Sequence, residues 1–256
     1  MPQNGIIMKK ILVIIWLTAL CFLLFSNVHA WEIPSYLRMS SGTRMWFSVL
    51  DGDLVQNDLT KLDLIQNLGI QRDRLVWEAF SSFRLDNIHV LRVRYEPHTQ
   101  YDQSRNNSSQ TVRDLRLGYD LDFYMTPQFL FGANLDMAIV NSETQVRNVT
   151  VGGVTFNYDV RESRVVPTLG VHGTFYPIVD GIALRPNLTG RINWWDYESL
   201  ATWDWEVSAA VDVPLNRLWT WTVNGGYRFW HLKLKRDRDI LDMNRSGFFV
   251  ETSLLF

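Results

Sequence analysis

The segment "GIALRPNLTGRIN" constrains the fold more than any other feature of this chain. Read in twos it separates cleanly, with Ile182, Leu184, Pro186, Leu188 and Ile192 on one phase and Arg185, Asn187, Thr189, Arg191 and Asn193 on the other. Side chains along a β-strand point alternately to opposite faces, so this is a strand with one oily face and one charged face. Two arginines on the inner face of a soluble sandwich would be costly to bury. Inside a closed barrel the same face finds water and counter-charges.

The split recurs. In "DLRLGYDLDFY", Leu115, Leu117, Tyr119, Leu121 and Phe123 oppose Asp114, Arg116, Gly118, Asp120 and Asp122. In "VLRVRYE", Leu91, Val93 and Tyr95 oppose Arg92, Arg94 and Glu96, and in "TWDWEVSAAVDV" Trp203, Trp205, Val207, Ala209 and Val211 oppose Asp204, Glu206, Ser208 and Asp212. The period of two predicts ten strands, at 40–50, 74–84, 88–97, 111–124, 128–141, 160–175, 182–193, 201–212, 218–233 and 246–256. Short connections ("DNI", "TPQ", "PIVDG", "PLNR") alternate with long polar ones at 51–73, 98–110, 142–159, 194–200 and 234–245. The expectation is an all-β, antiparallel, up-and-down transmembrane barrel of ten strands, with eight as the alternative, because the first two strands alternate least cleanly. A sandwich ranks third.

At the N-terminus Lys9 and Lys10 precede the apolar run "ILVIIWLTALCFLLF" and the small-residue site Val28-His29-Ala30. That order reads as a secretory signal peptide cut near Ala30, with a single barrel domain at 31–256. The run is shorter than the roughly 20 residues of a spanning helix. The sole cysteine, Cys21, lies within it, so a mature chain without disulfides is expected. A net charge of -2 gives no reason to expect nucleic-acid binding. The 11 tryptophans are a heavy load, and aromatics gather at strand ends. Phe123, Tyr124, Phe129, Phe131, Phe175, Tyr176, Trp219 and Trp221 fall beside short turns, and Trp194, Trp195, Trp203 and Trp205 beside a long loop. Two girdles of this kind suit the two interfaces of a bilayer.

With these strands and girdles, the chain resembles the small outer-membrane β-barrel proteins of Gram-negative bacteria, of the OmpA/OmpX-like kind. Within it "TKLDLIQNLGI", followed by a strand, a tight turn and "HVLRVRYEP", is similar to a pattern of uncharacterised barrels of this class. The resemblance implies residence in the cell outer membrane after export through the periplasm, with both termini on the periplasmic side. It also implies that the closing strand "GFFVETSLLF", through Phe248, Val250 and Phe256, carries the signal that the outer-membrane assembly machinery reads. It is nearly silent about activity, and no segment after Phe256 is expected to bind peptidoglycan.

The inward phase carries Glu78, Arg92, Arg94, Asp114, Arg116, Asp120, Asp122, Arg185, Arg191, Asp204, Glu206, Asp212, Arg228 and Glu251, a mixed-sign set that predicts a network of paired charges filling the lumen. Asp120 and Asp122 point inward two residues apart, and His172 points inward at similar depth near the periplasmic end, where carboxylates with a histidine can act as a general base. Ten-stranded outer-membrane proteases place such groups at the opposite rim. His98 and His231 fall near the outer ends of their strands, without a readable Ser and acid partner. Asp51, Asp53, Asp58 and Asp63 lack the spacing of a calcium loop and read as solvated surface. In "KLKRDRDILDMNR", Lys233, Lys235, Arg236, Arg238 and Arg245 stand where lipopolysaccharide phosphates would lie. Neither a metal site nor a cofactor motif is readable, and no catalytic residue is assigned. The function expected is a structural or surface-interaction role with a charge-filled lumen. The alternative is a narrow pore for ions or small solutes, and third comes an envelope enzyme acting on lipid or peptide.

Overall fold

A computed structural model describes residues 37–56, 60–86, 88–102, 108–126, 128–151, 153–176, 183–192, 200–216, 218–236 and 239–256. Eleven antiparallel strands follow in chain order: β1 (Leu37–Gln56), β2 (Thr60–Asp63), β3 (Asp73–Leu85), β4 (His89–Asp102), β5 (Ser109–Thr126), β6 (Phe129–Val151), β7 (Val154–Phe175), β8 (Ala183–Ile192), β9 (Leu200–Pro214), β10 (Thr220–Arg236) and β11 (Asp239–Leu255). Each pairs with its sequence neighbour, except that β1 pairs with β3 along one side and β11 along the other. Ten strands therefore close an up-and-down barrel, and β2 is a short extra strand against the far end of β1. Closure runs to the last residue, since the Met39 and Phe256 backbones exchange hydrogen bonds of 2.7 and 2.8 Å.

The outer face carries a lipid-type belt. On β6 it shows Phe129, Phe131, Ala133, Leu135, Met137 and Ile139. Ten steps of about 3.4 Å at a tilt of about 40° raise the strand by roughly 26 Å. That matches the ~25 Å apolar band of bilayer-spanning barrels. Leu91, Val93, Leu117, Val171, Leu188, Val207, Phe248 and Val250 continue the belt around the wall, Phe248 being 69% exposed. Phe123, Phe129, Phe131, Phe175 and Trp221 line its short-turn edge, and Trp203, stacked on Phe229 at 4.6 Å, lies toward the other. Trp194 and Trp195, like the signal peptide, lie outside the described residues.

Two expectations are corrected here. The segments 142–159 and 234–245 are not polar loops but continuations of strand pairing, so that β6 and β7 turn only between Val151 and Val154, and β10 and β11 between Arg236 and Asp239. Their outward residues are polar because the wall has left the bilayer, while their inward residues Val146, Val149, Leu232, Leu234, Leu241 and Met243 are buried. The segment 51–73 is not solvated surface as a whole. Asp63 Oδ1 accepts from the Ile65 and Gln66 amides at 2.8 and 2.6 Å, making a turn that delivers Leu64, Leu68 and Ile70 into the barrel's apolar core. Asp51 and Asp53 are at the surface or half-buried, Asp53 pairing with Lys61 at 2.8 Å, and Asp58 lies outside the described residues.

Candidate functional site

The lumen is the one place where charged groups from every part of the chain converge, and it has three storeys. At the short-turn end a cavity of about 580 Å³ opens among Arg38, Ser40, Arg84, Asn187, Ser208, Asp212, Asn224 and Glu251. Hydroxyls and amides dominate its wall. Thr222 donates to Asp212 at 2.6 Å, and the Ser208 hydroxyl is buried without a hydrogen-bond partner.

Above it the inward phases meet in a lattice of ion pairs. Arg44 lies 2.5 Å from Glu251, its direct partner on the adjoining β11, and 2.7 Å from Glu206 on β9. Arg228 holds Glu78 at 2.6 Å and approaches Asp204 at 3.6 Å. Arg116 bridges Asp114, at 2.6 Å, and Asp204. Arg191 joins Asp136 at 2.7 Å to Asp204 at 3.2 Å, and Arg92 joins Asp120 at 2.6 Å to Asp136 at 3.1 Å. Glycines make the room. A Cβ on Gly118 would stand 2.2 Å from Asp136 Oδ1, and one on Gly132 would stand 2.3 Å from the His172 ring.

The Asp120, Asp122 and His172 group is assembled, but as part of this lattice. His172 Nε2 meets Asp122 Oδ1 at 2.9 Å, and its Nδ1 meets Asn134 Nδ2 at 2.8 Å. Asn134 in turn donates to Asp120 at 2.7 Å, and Arg84 holds Asp122 at 2.6 Å. Both ring nitrogens are thus hydrogen-bonded within the lattice. His98 accepts from Arg113 at 3.2 Å and shares a surface pocket with Ser142, Glu143 and Ser163, while His231 pairs with Asn244 at 2.8 Å and lies 3.6 Å from Asp242.

The third storey is largely apolar, with buried polar groups bonded to one another, as in Gln110 with Ser142 and Thr144. Trp46, Leu50, Leu54, Val76, Val112, Val140, Trp230, Leu232 and Met243 close the lumen around Leu62, Leu64, Leu68 and Ile70. The expectation that charge fills the whole lumen is thus corrected to charge in one part and a hydrocarbon plug in the other. Arg245 stands where they join and is also corrected, since it is 0% exposed and cannot reach a lipid phosphate. Its guanidinium makes bonds of 3.1 and 2.8 Å to Glu96 and lies 4.6 Å from the Trp46 ring and 5.2 Å from Trp230. Counting alternation back from Glu251 puts residue 245 on the inward face, so phase overrides local charge density.

Of the sequence-derived lumen residues, Glu78, Arg92, Arg94, Asp114, Arg116, Asp120, Asp122, Arg191, Asp204, Glu206, Arg228 and Glu251 have their charged groups in this lattice, and Asp212 lines the cavity below it. The side chains of Arg185 and Arg236, and all of Arg238, lie outside the described residues. Lys233 is exposed and Lys235 half-buried, both on the outward phase of β10 beyond Phe229. Arg44, Arg84, Glu96, Asp136 and Arg245 belong to the site and were not assigned to it from sequence. Strand alternation carries the signal for Asp136, flanked by apolar Leu135 and Met137, and more weakly for Arg44, flanked by Thr43 and Met45.

No protein-family model and no curated protein matches the chain. Among solved structures it is similar to the outer membrane protease OmpT from Escherichia coli, at 6% identity and a TM-score of 0.47, over 88% of this chain and 97% of that one. It is also similar to Neisserial surface protein A, at 10% identity and 0.38, over 86% and 96%. The translocator domain of the autotransporter NalP from Neisseria meningitidis follows at 12% and 0.37, over 94% and 96%. These three are a protease, a surface protein and a translocator domain, and the likeness assigns none of these roles here. The class defined by the strand register and the lipid-type belt is the transmembrane β-barrel.

Proposed function

We propose that this is an outer-membrane β-barrel of a Gram-negative envelope, non-catalytic and non-conducting, whose role is structural or exercised through its surface. The observation that carries the reading is the double closure of the lumen, first by paired charges and then by the apolar core around Trp46 and Leu68. A diffusion pore needs a continuous water path, and a side chain buried between Trp46 and Trp230 leaves none at that level. The short-turn rim faces the periplasm, the signal peptide having been removed, and the long extensions of β6, β7, β10 and β11 face outward. Lys233 and Lys235, with neighbouring Arg236 and Arg238, are placed to meet lipopolysaccharide phosphates. Phe248, Val250 and Phe256 present the strand that assembly machinery would read.

The test is planar-bilayer recording of the refolded mature protein, after a gel showing the heat-dependent mobility of a folded barrel. Electrical silence is expected. Discrete, reproducible steps would overturn the reading and favour a gated narrow pore, for which the 580 Å³ cavity reaching up to Glu251 is the supporting observation. Charge changes at Asp120 or Arg191 would then alter ion preference.

A further inference from the structure

Arg94 is the least closely held guanidinium of the lattice, and its side chain is 17% exposed. Arg94 points into the lumen from β4, yet its Nε stands 3.8 Å from Glu78 and its Nη1 4.0 Å from Glu206, too far for hydrogen bonds. Nη1 is buried and makes no hydrogen bond, and the same holds for Arg92 Nε nearby. Arg228 holds Glu78 Oε1 at 2.6 Å and Arg44 holds Glu206 at 2.7 Å, while Glu78 Oε2, which faces Arg94, is buried without a hydrogen-bond partner. A buried cation without a close partner is a costly arrangement unless something else supplies the charge.

Beside Arg94 lies a cavity of about 40 Å³ whose lining includes four arginines, Arg92, Arg94, Arg116 and Arg191, together with Phe80 and Ser82. Asp136 is the sole carboxylate on its wall, and both its oxygens are already engaged, one by Arg92 at 3.1 Å and the other by Arg191 at 2.7 Å. Gly118 also lines the cavity, and a side chain there would press on Asp136 and Arg92. The space exceeds the roughly 10–15 Å³ that one water requires. It is far too small for a phosphorylated solute.

We propose that this cavity is a binding site for a single small monovalent anion of halide type, held by charge-assisted hydrogen bonds from Arg94 and Arg92. The ion supplies the close partner that Arg94 lacks among the described residues. It binds the folded barrel and not the unfolded chain, so it raises stability by linkage.

The experiment has two arms on the full mature protein. Crystals grown in sodium bromide are measured at the bromine absorption edge, and urea unfolding is compared in bromide and in gluconate at equal ionic strength. Expected are an anomalous peak in the cavity beside Arg94 Nη1 and a higher urea midpoint in bromide, with that difference lost in Arg94→Gln. Water alone in the cavity overturns the proposal, whatever the midpoints do. A peak with identical midpoints in the two salts means an adventitious ion only, and overturns it as well. Because the diffraction arm uses the unaltered chain, a misfolded Arg94→Gln variant does not rescue the idea.

Discussion

Replacing Arg245 with methionine isolates what a buried ion pair does at the junction of the two lumen zones. The substitution keeps an unbranched side chain between Trp46 and Trp230 but deletes the cation that makes both bonds to Glu96. It also removes the 3.1 Å bond from Arg245 Nε to Tyr101 Oη, whose 2.8 Å bond with Ser48 survives. Glu96 is then a buried carboxylate without its partner, and breaking such a pair from one side costs about 3–5 kcal/mol. With an m-value of about 3 kcal/mol per molar urea, the midpoint falls by roughly 1 to 1.7 M. Removing both charges, in Arg245→Met with Glu96→Gln, restores most of this, since replacing a whole buried pair is often close to neutral. Tryptophan fluorescence in detergent micelles follows the transition, and gel mobility provides a probe that does not depend on Trp46 or Trp230. A midpoint loss in the single variant of under about a tenth of that expected shift, or a double variant no better than the single, would refute the reasoning.

Two further outcomes test the belt and the glycines. Leu135, half exposed at the middle of the apolar stretch of β6, should tolerate arginine badly, with a loss of about 2–4 kcal/mol in a lipid vesicle. Asn141→Arg, three outward positions further along, should be nearly neutral in the same assay, and equal effects at the two sites would remove the bilayer from between them. Gly132→Ala drives a methyl group into the His172 ring and should cost about 1–3 kcal/mol as overpacking. His172→Ala in the same chain should recover part of that loss, as read from the urea midpoints.

Strand count, closure and most of the charged lattice are legible in the sequence because lipid outside and charge inside give each strand two unlike phases. Arg44 and Asp136 escaped, the first because Trp46 shares its inward phase and blurs the contrast, the second because "NLDMA" holds a single charge. The plug was harder to see for a different reason. "DLIQNLGI" carries Leu64, Leu68 and Ile70, but its carboxylates and loop position draw attention to solvent, and nothing local says that the turn at Asp63 aims these side chains back into the barrel. Arg245 was placed by the charge density of its neighbours. Those neighbours, Asp242 and Asn244, are on the opposite face.

The division of the lumen follows from what specifies a strand's face. Along β6 the odd residues from Phe129 to Ile139 are apolar and face out, and beyond them the pattern inverts, with Val140 and Val146 buried and Asn141, Glu143 and Arg147 outward. On β10 the inversion falls between Phe229 and Trp230, after which Leu232 and Leu234 point in while His231 and Lys233 point out. On β1 it falls between Phe47, which faces out, and Leu50, which faces in. Where lipid lies outside, an apolar interior would leave the two faces alike, and a register slip of one residue would cost little. Arginines on the inner face prevent that slip, because each one turned toward lipid at the midplane costs about 2–4 kcal/mol. Where water lies outside, the discrimination is already present, and an apolar interior stabilises the wall without blurring its faces. The inversion of phase along a single strand therefore marks the level at which the barrel leaves the membrane, and the Trp46, Arg245 and Trp230 layer sits at that level.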